Sequence, residues 1–453
     1  MTRGRKTDPR PYVSEAAQFD EPPSTSFFAT TAIGMVALAL ATGIIIGFAV
    51  LLVMNLSSWL TALLWNGASG QMPTPWFPLV VCTLGGALIG IWTWRSGDRV
   101  KPLEEVMTEF KATGSYRING PWKPVVSFLL PLVLGGSIGF EAGITGLATA
   151  GCCWIRDRLK AAGLRAGSVA DVTIAASISA IFGTPLAGIV AGAESAPADG
   201  ESVLEEPNVN DYNMRRSAKI VLYTAAAFGA FGGIALFSQL FGASGGLPRF
   251  DPISATRTDL LWIIPCLIAA YAMTLVFHGS ARLFKGLAAR LGNGAAGIIG
   301  APVVAGIILG AIAMVFPLAL FPGEAQSEQL IETWGSMGIV ALLGTGLLKA
   351  FVTPMCLNMG WVGGSFFPSI FAGVAAGYGL AALTGVDAML MVTVTTTAFL
   401  AGVTRKPLLT LAVLFLCFPA QGLLWMGLAA VIGASLPIPN ALTSDNSKRS
   451  ELS

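Results

Sequence analysis

The chain has 453 residues, of which 54% are hydrophobic and only 11% charged, with a formal net charge of +2. Soluble domains carry about 25% charged residues, so this composition, with a mean hydropathy of +0.70, excludes a soluble globular domain and implies a polytopic membrane protein. The small net charge says little about partners beyond the lipid bilayer, and no nucleic-acid partner is expected.

Residues 1–26 are polar and carry Arg3, Arg5, Lys6 and Arg10. They lack an apolar core before a cleavage site, so they read as a disordered cytoplasmic tail rather than a signal peptide. The membrane domain is expected over 27–436, in halves of about 27–195 and 214–436, with a polar tail at 437–453. Phe27 to Trp65 is one long apolar run, either a single tilted helix or a helix with a turn. Trp76 to Trp94 is the next span. Arg95 to Gly120 is polar and should hold a short cytoplasmic helix. Trp122 to Gly139 leads to a glycine-rich break, followed by Ile144 to Trp154 and a basic segment with Arg156, Arg158, Lys160 and Arg165.

Asp171 to Ala193 reads as two short helices split at Gly183-Thr-Pro185. Each is below the roughly 20 residues that a bilayer requires. An acidic loop follows, then the span Ile220 to Phe241. Leu260 to Val276 and Ala295 to Leu320 are further spans joined by a basic stretch (Arg282, Lys285, Arg290). Ile339 to Met359 carries Lys349, which reads as structural, snorkelling or paired, rather than as an anion ligand. A second break, Gly363-Gly-Ser-Phe-Phe-Pro-Ser369, opens the small-residue helix Ile370 to Leu383. Ala388 to Ala401 and Leu408 to Pro419 are split at Thr404-Arg-Lys-Pro407, and a last apolar run reaches Leu436.

With 54 glycines and 26 prolines, many helices must be short, broken or closely packed. The six cysteines, Cys82, Cys152, Cys153, Cys266, Cys356 and Cys417, lie in or beside apolar segments and read as small buried hydrophobes. With a single histidine, His278, no metal and no cofactor is expected.

The first break, Gly135-Gly-Ser-Ile-Gly-Phe-Glu141-Ala-Gly-Ile-Thr-Gly146, places one carboxylate inside apolar sequence. A charge at membrane depth costs a few kcal/mol or more and is tolerated where it is partnered or lines a cavity. Glycines let bare backbone N–H groups turn toward Glu141, and a helix starting just after it adds a positive end. The stretch therefore reads as an anion site filled by the protein's own anion, or as a kink in a buried helix with a paired structural Glu.

The two halves resemble each other. Each has a glycine-rich break opening a small-residue helix, then a Pro-Leu pair between two short helices. The spacing is 44 residues from Glu141 to Pro185 and 41 from Phe366 to Pro407. Matched broken helices in a duplicated chain point to a transporter binding site. The amides of Ser365, Phe366 and Phe367 would offer donors to a small anion that must bind and also leave. Phe366 and Phe367 would wall the site, and Glu141 would compete for the same place until protonated.

On these residues the chain resembles the CLC family of chloride channels and proton-coupled chloride antiporters, over about residues 30–436. Gly139-Phe-Glu-Ala-Gly143 is similar to the family motif G-x-E-G-P, and Gly364-Ser-Phe-Phe-Pro368 to G-x-F-x-P. Ala180-Ile-Phe-Gly-Thr-Pro-Leu-Ala-Gly188, Lys349 and Gly363-Gly364 also fit. The resemblance implies an all-α membrane fold of two inverted halves with re-entrant helices, assembled as a homodimer in the cell membrane with both termini cytoplasmic. It implies Glu141 as a gating glutamate and an anion site at Gly139, Phe140, Gly364, Ser365, Phe366 and Phe367. The cargo would be chloride or another small anion, exchanged against protons in an antiporter. Glu194 stands next to the antiporters' internal proton-transfer position, as a relay or as a helix-end residue facing water. Two family features have no counterpart: the Ser of G-S-G-I-P near Gly97, where the chain reads Gly97-Asp-Arg-Val-Lys-Pro102, and the pore Tyr of the last helix, since the last tyrosine is Tyr378.

Two other function classes fit parts of the chain. A secondary transporter of another solute shares broken helices, but should carry acidic residues in several spans. An intramembrane serine protease matches Trp334-Gly-Ser-Met-Gly338 with His278. The transport reading expects no enzymatic activity.

Overall fold

In the computed structural model the described residues are 25–65, 74–97, 122–161, 168–195, 216–242, 247–256, 258–292, 294–439 and 442. They form fifteen α-helices: α1 (Thr25–Trp65), α2 (Phe77–Ser96), α3 (Trp122–Val133), α4 (Glu141–Ala161), α5 (Ser168–Phe182), α6 (Pro185–Ser195), α7 (Arg216–Phe241), α8 (Ile263–Leu291), α9 (Ala295–Ala313), α10 (Glu324–Thr333), α11 (Ile339–Asn358), α12 (Phe366–Thr384), α13 (Ala388–Thr404), α14 (Pro407–Leu414) and α15 (Leu423–Ser435). Seven helices among the described residues are long and apolar enough to cross a membrane. The expected short helix after Arg95 lies, past Gly97, outside the described residues, as do both polar tails, apart from the first tail's last two residues and 437–439 and 442 of the second, and most of the acidic loop.

Local chemistry explains these boundaries. The run from Phe27 forms one uninterrupted 41-residue helix, about 60 Å long at 1.5 Å per residue. That is twice the hydrocarbon thickness of about 30 Å, so α1 is long enough to cross with a tilt. At Gly183 the backbone turns left-handed, with φ +65°, and Pro185 starts α6 where its missing N–H is harmless. One expectation needs correction. The basic stretch Arg282, Lys285, Arg290 is no connector; α8 runs through it to Leu291, because Arg and Lys are good helix formers.

Close packing comes from glycine. α1 lies along α7 with Gly43 and Gly47 facing Ala226 and Ala230, and Gly229 and Gly233 facing Leu40 and Ile44. A Cβ at any of these four would strike backbone of the partner helix, the small-xxx-small geometry of membrane helix pairs. α2 and α9 use Gly86, Gly90, Gly306 and Gly310 in the same way, and α12 meets α13 through Gly373 and Gly377. The most enclosed of the spanning helices is α12: 83% of its apolar window is buried. It therefore stands at the centre of the molecule, where its first turn faces α4.

Candidate functional site

The two glycine-rich breaks meet. Gly139 N–H donates to Gly364 O at 2.7 Å, and Gly364 N–H donates to Gly139 O at 2.9 Å. This antiparallel bridge is the only β-bridge among the described residues. It sets the starts of α4 and α12 side by side, so two positive helix ends converge on one place.

Glu141 fills that place. It is the first residue of α4 and is fully buried. Its Oε1 accepts a hydrogen bond from the Phe366 N–H, the first amide of α12, at 2.5 Å. Its Oε2 has no partner among the described residues. The carboxylate lies directly over Gly139 and Gly364, and a Cβ at either position would run into it. Glycine is needed here for close approach: the anion rests on bare backbone.

Aromatic rings close the site. Phe140 meets Phe367 edge-on at 5.9 Å. Phe182, the last residue of α5, stacks on Phe367 at 5.3 Å and tilts against Phe366 at 5.4 Å. Phe182 also borders a cavity of about 200 Å³ that Gly183, Arg249, Leu416 and Cys417 line. Sequence reasoning missed Phe182; its one signal was its place immediately before the Gly183-Thr-Pro185 break.

A second set of contacts holds the first break. Ser137 and Thr353 share a hydroxyl hydrogen bond at 3.1 Å. Phe321, at φ +62°, donates its N–H to Gly135 O at 3.2 Å. Lys349 is fully buried, so it does not snorkel. Its Nζ donates to Leu320 O and Phe321 O, each at 2.7 Å, with Leu318 O and Ala319 O at 3.4 Å, and lies 4.8 Å from the centre of the Phe371 ring. Its partners are main-chain carbonyls, which no sequence pattern signalled. Lys349 thus clamps the loop that props Gly135, and it is a support of the site rather than part of it.

The structure brings together Gly139, Phe140, Glu141, Gly364, Phe366 and Phe367 of the expected site. Ser365 is the residue before α12; its hydroxyl makes no contact that places it on the carboxylate, while its carbonyl accepts from Ser369 N–H at 3.1 Å. Glu194 lies in the last turn of α6, with its side chain outside the described residues. Asp98, Arg99 and Lys101 also lie outside them. The protease reading fails on geometry. Ser336 donates to Thr333 O at 2.8 Å, while the His278 ring pairs with Gly402 O at 3.3 Å, so no Ser–His pair forms.

The chain and its fold are similar to known proteins. The profile described as voltage gated chloride channel matches residues 85–437. YfeO of Escherichia fergusonii, whose description assigns it provisionally to ion transport, is 26% identical over 358 residues, covering 75% of this chain and 77% of that protein. The fold is similar to that of a CLC-type fluoride/proton antiporter, with TM-score 0.67 and 17% identity over 91% of this chain and 96% of that one. It is also similar to a slow cyanobacterial chloride/proton antiporter, with TM-score 0.64 and 17% identity over 89% and 94% of the two chains. A eukaryotic CLC transporter gives TM-score 0.65 and 15% identity, over 94% of this chain and 74% of that one.

Proposed function

We propose, for a chain that belongs to the voltage-gated chloride channel family and so serves anion transport across a membrane, that Glu141 is a gate occupying the anion's own site. One observation carries this: the Phe366 N–H donates to Glu141 Oε1 inside the bridge between the two breaks. A carboxylate and a small inorganic anion are both acceptors of N–H groups, so each satisfies the same donors. Only one of them fits at a time over Gly139 and Gly364.

The cycle follows from charge. While ionised, Glu141 holds the amide of Phe366 and the converging helix ends, and an arriving anion meets a like charge. Once protonated, the carboxyl loses most of its hold on the amide. It swings away, and a chloride or similar anion takes the donors of Phe366 and Phe367, walled by Phe140 and Phe182. Loss of the proton returns the carboxylate and expels the anion. Because the proton and the anion use Glu141 alternately, the device supports exchange of one for the other. Glu194 is then a relay at the end of α6. The membrane domain over 27–436 acts as a homodimer in the cell membrane with both termini cytoplasmic, the orientation that the basic N-terminal residues favour.

Purified protein in liposomes, with anion release and internal pH recorded together, tests this. An anion gradient should drive protons uphill in the wild type, and Glu141→Gln should abolish proton movement while anions still pass. Anion movement without protons in both proteins would make the chain a channel. No movement of chloride, fluoride or nitrate in either would remove the gate assignment.

A further inference from the structure

We infer that the cavity beside Phe182 is a second anion site, in which Arg249 holds a small planar oxyanion such as nitrate. The inference rests on the anion-transport reading and names where an anion is held while Glu141 occupies the place between the two breaks.

The backbone around Arg249 is fixed on both sides. Pro248 before it is buried and locks its own φ. Phe250 after it donates its N–H to Cys417 O at 2.8 Å and stacks its ring on Phe418 at 4.8 Å. Between these anchors Arg249 is exposed and lines the cavity of about 200 Å³. Among the described residues no hydrogen bond or ion pair occupies its guanidinium. Two helices end close to the lining, α5 at Phe182 and α14 at Leu414, and neither needs Arg249 as a cap. Ser179 O accepts from the Thr184 N–H at 3.2 Å, and Leu414 O from the N–H groups of Cys417 and Phe418 at 3.0 and 3.3 Å. No acidic side chain lines the cavity; Asp251, two residues on, is not part of it.

A cation without a partner in a recess attracts anions, and walls of low dielectric strengthen the attraction. The walls here are largely apolar: Phe182, Phe231, Ile234, Ala235, Leu247 and Leu416. Such walls penalise an ion that must keep its water, so a weakly hydrated anion is preferred over a strongly hydrated one such as fluoride. The guanidinium adds shape. Its planar fork meets a planar oxyanion through two parallel N–H···O bonds, a match that a spherical halide cannot make. One water takes up about 30 Å³ of liquid, so the cavity has room for nitrate with part of its hydration shell. Its place suits a holding site. Phe182 packs on Phe366 and Phe367 as well, and the Phe366 N–H holds Glu141. One ring thus touches both the cavity and the residues whose amides become free when Glu141 leaves.

Calorimetric titration of the purified full chain in detergent with nitrate, and in parallel with chloride, tests the assignment. Gly364→Ala is the reference, because a Cβ there stands where the Glu141 carboxyl lies and keeps anions off that place. Nitrate should still bind to Gly364→Ala. Adding Arg249→Gln should weaken that binding by about tenfold or more, the loss of one charged hydrogen bond. Arg249→Lys keeps the charge without the fork, so nitrate should weaken while chloride changes by less than about twofold. Since Arg249 is exposed, both variants should unfold at the temperature of the reference. If Gly364→Ala does not fold, the wild type serves instead, and Arg249→Gln should bind one nitrate fewer per chain. Equal nitrate binding with and without Arg249→Gln overturns the site. So does a lower unfolding temperature with binding unchanged, which would make Arg249 a structural cap. Loss of all nitrate binding in Gly364→Ala alone also overturns it, by leaving the anion a single place. Flux in liposomes separates the two readings: a wild type that binds nitrate through Arg249 but moves no anion would refute the gate and leave this site standing.

Discussion

The amide of Phe366 donates to the carboxylate of Glu141 across 225 residues of chain. A charged acceptor makes this a strong hydrogen bond, and it joins the first residue of one helix to the first residue of another. The link exists because Gly139 and Gly364 exchange both of their backbone hydrogen bonds beside it. Anything that changes the charge, the donor or the space over those glycines should therefore change transport.

Charge is the simplest to vary. Lowering the pH protonates Glu141 more often, and each protonation frees the Phe366 amide. Anion flux in the wild type should therefore rise as the pH falls. Glu141→Gln cannot titrate, so its flux should be flat over the same range. Flux measured across a pH series in both proteins checks this; a parallel slope in the Gln variant would assign the pH response to another group.

Space is the second variable. A Cβ on Gly364 would stand where the Glu141 carboxyl now lies, and by the competition described above an anion needs the same volume. Gly364→Ala should cut anion flux by about tenfold or more, at every pH. Adding Glu141→Gln should not rescue it. Rescue would show that the carboxylate and the anion occupy different places.

The aromatic wall gives a third expectation. Phe182 lines the same cavity as Arg249 and also packs on Phe366 and Phe367. Phe182→Ala removes the stacked ring and should open the cavity toward Phe366 and Phe367. Anion flux should rise severalfold, and discrimination among chloride, fluoride and nitrate should weaken. Unchanged relative rates for the three ions would exclude Phe182 from the path. Core Phe→Ala changes cost about 3–5 kcal/mol, so thermal unfolding of the variant must be followed alongside.

Lys349 should matter for stability before transport. Lys349→Met keeps length but removes the donor of Phe321 O and the shorter of two donors to Leu320 O, which keeps only the Gln326 side-chain amide at 3.2 Å. An unsatisfied buried acceptor costs about 1–3 kcal/mol. The variant should unfold at a clearly lower temperature in detergent, followed by size-exclusion fluorescence. Whatever remains folded should lose rigidity at Gly135, because the same loop holds that residue through Phe321. An unchanged unfolding temperature would show that the clamp is dispensable.

Much of this could be read from residue types alone. The apolar composition required a membrane, the Gly183-Thr-Pro185 and Thr404-Arg-Lys-Pro407 breaks required short helices, and the spacing of Glu141 and Phe366 to their following prolines marked the repeat. Each follows from chemistry within a few residues: hydropathy, the missing N–H of proline, the missing Cβ of glycine. The end of α8 was misread because a basic stretch looks like a connector, yet is equally good helix. Which groups meet was another matter. The bridge between Gly139 and Gly364, the carbonyls around Lys349, the ring of Phe182 on Phe367 and the cavity that Phe182 shares with Arg249 are set by packing between segments far apart in the chain. Periodicity says which face of a helix is apolar, but a hydrogen bond depends on where a distant backbone comes to rest.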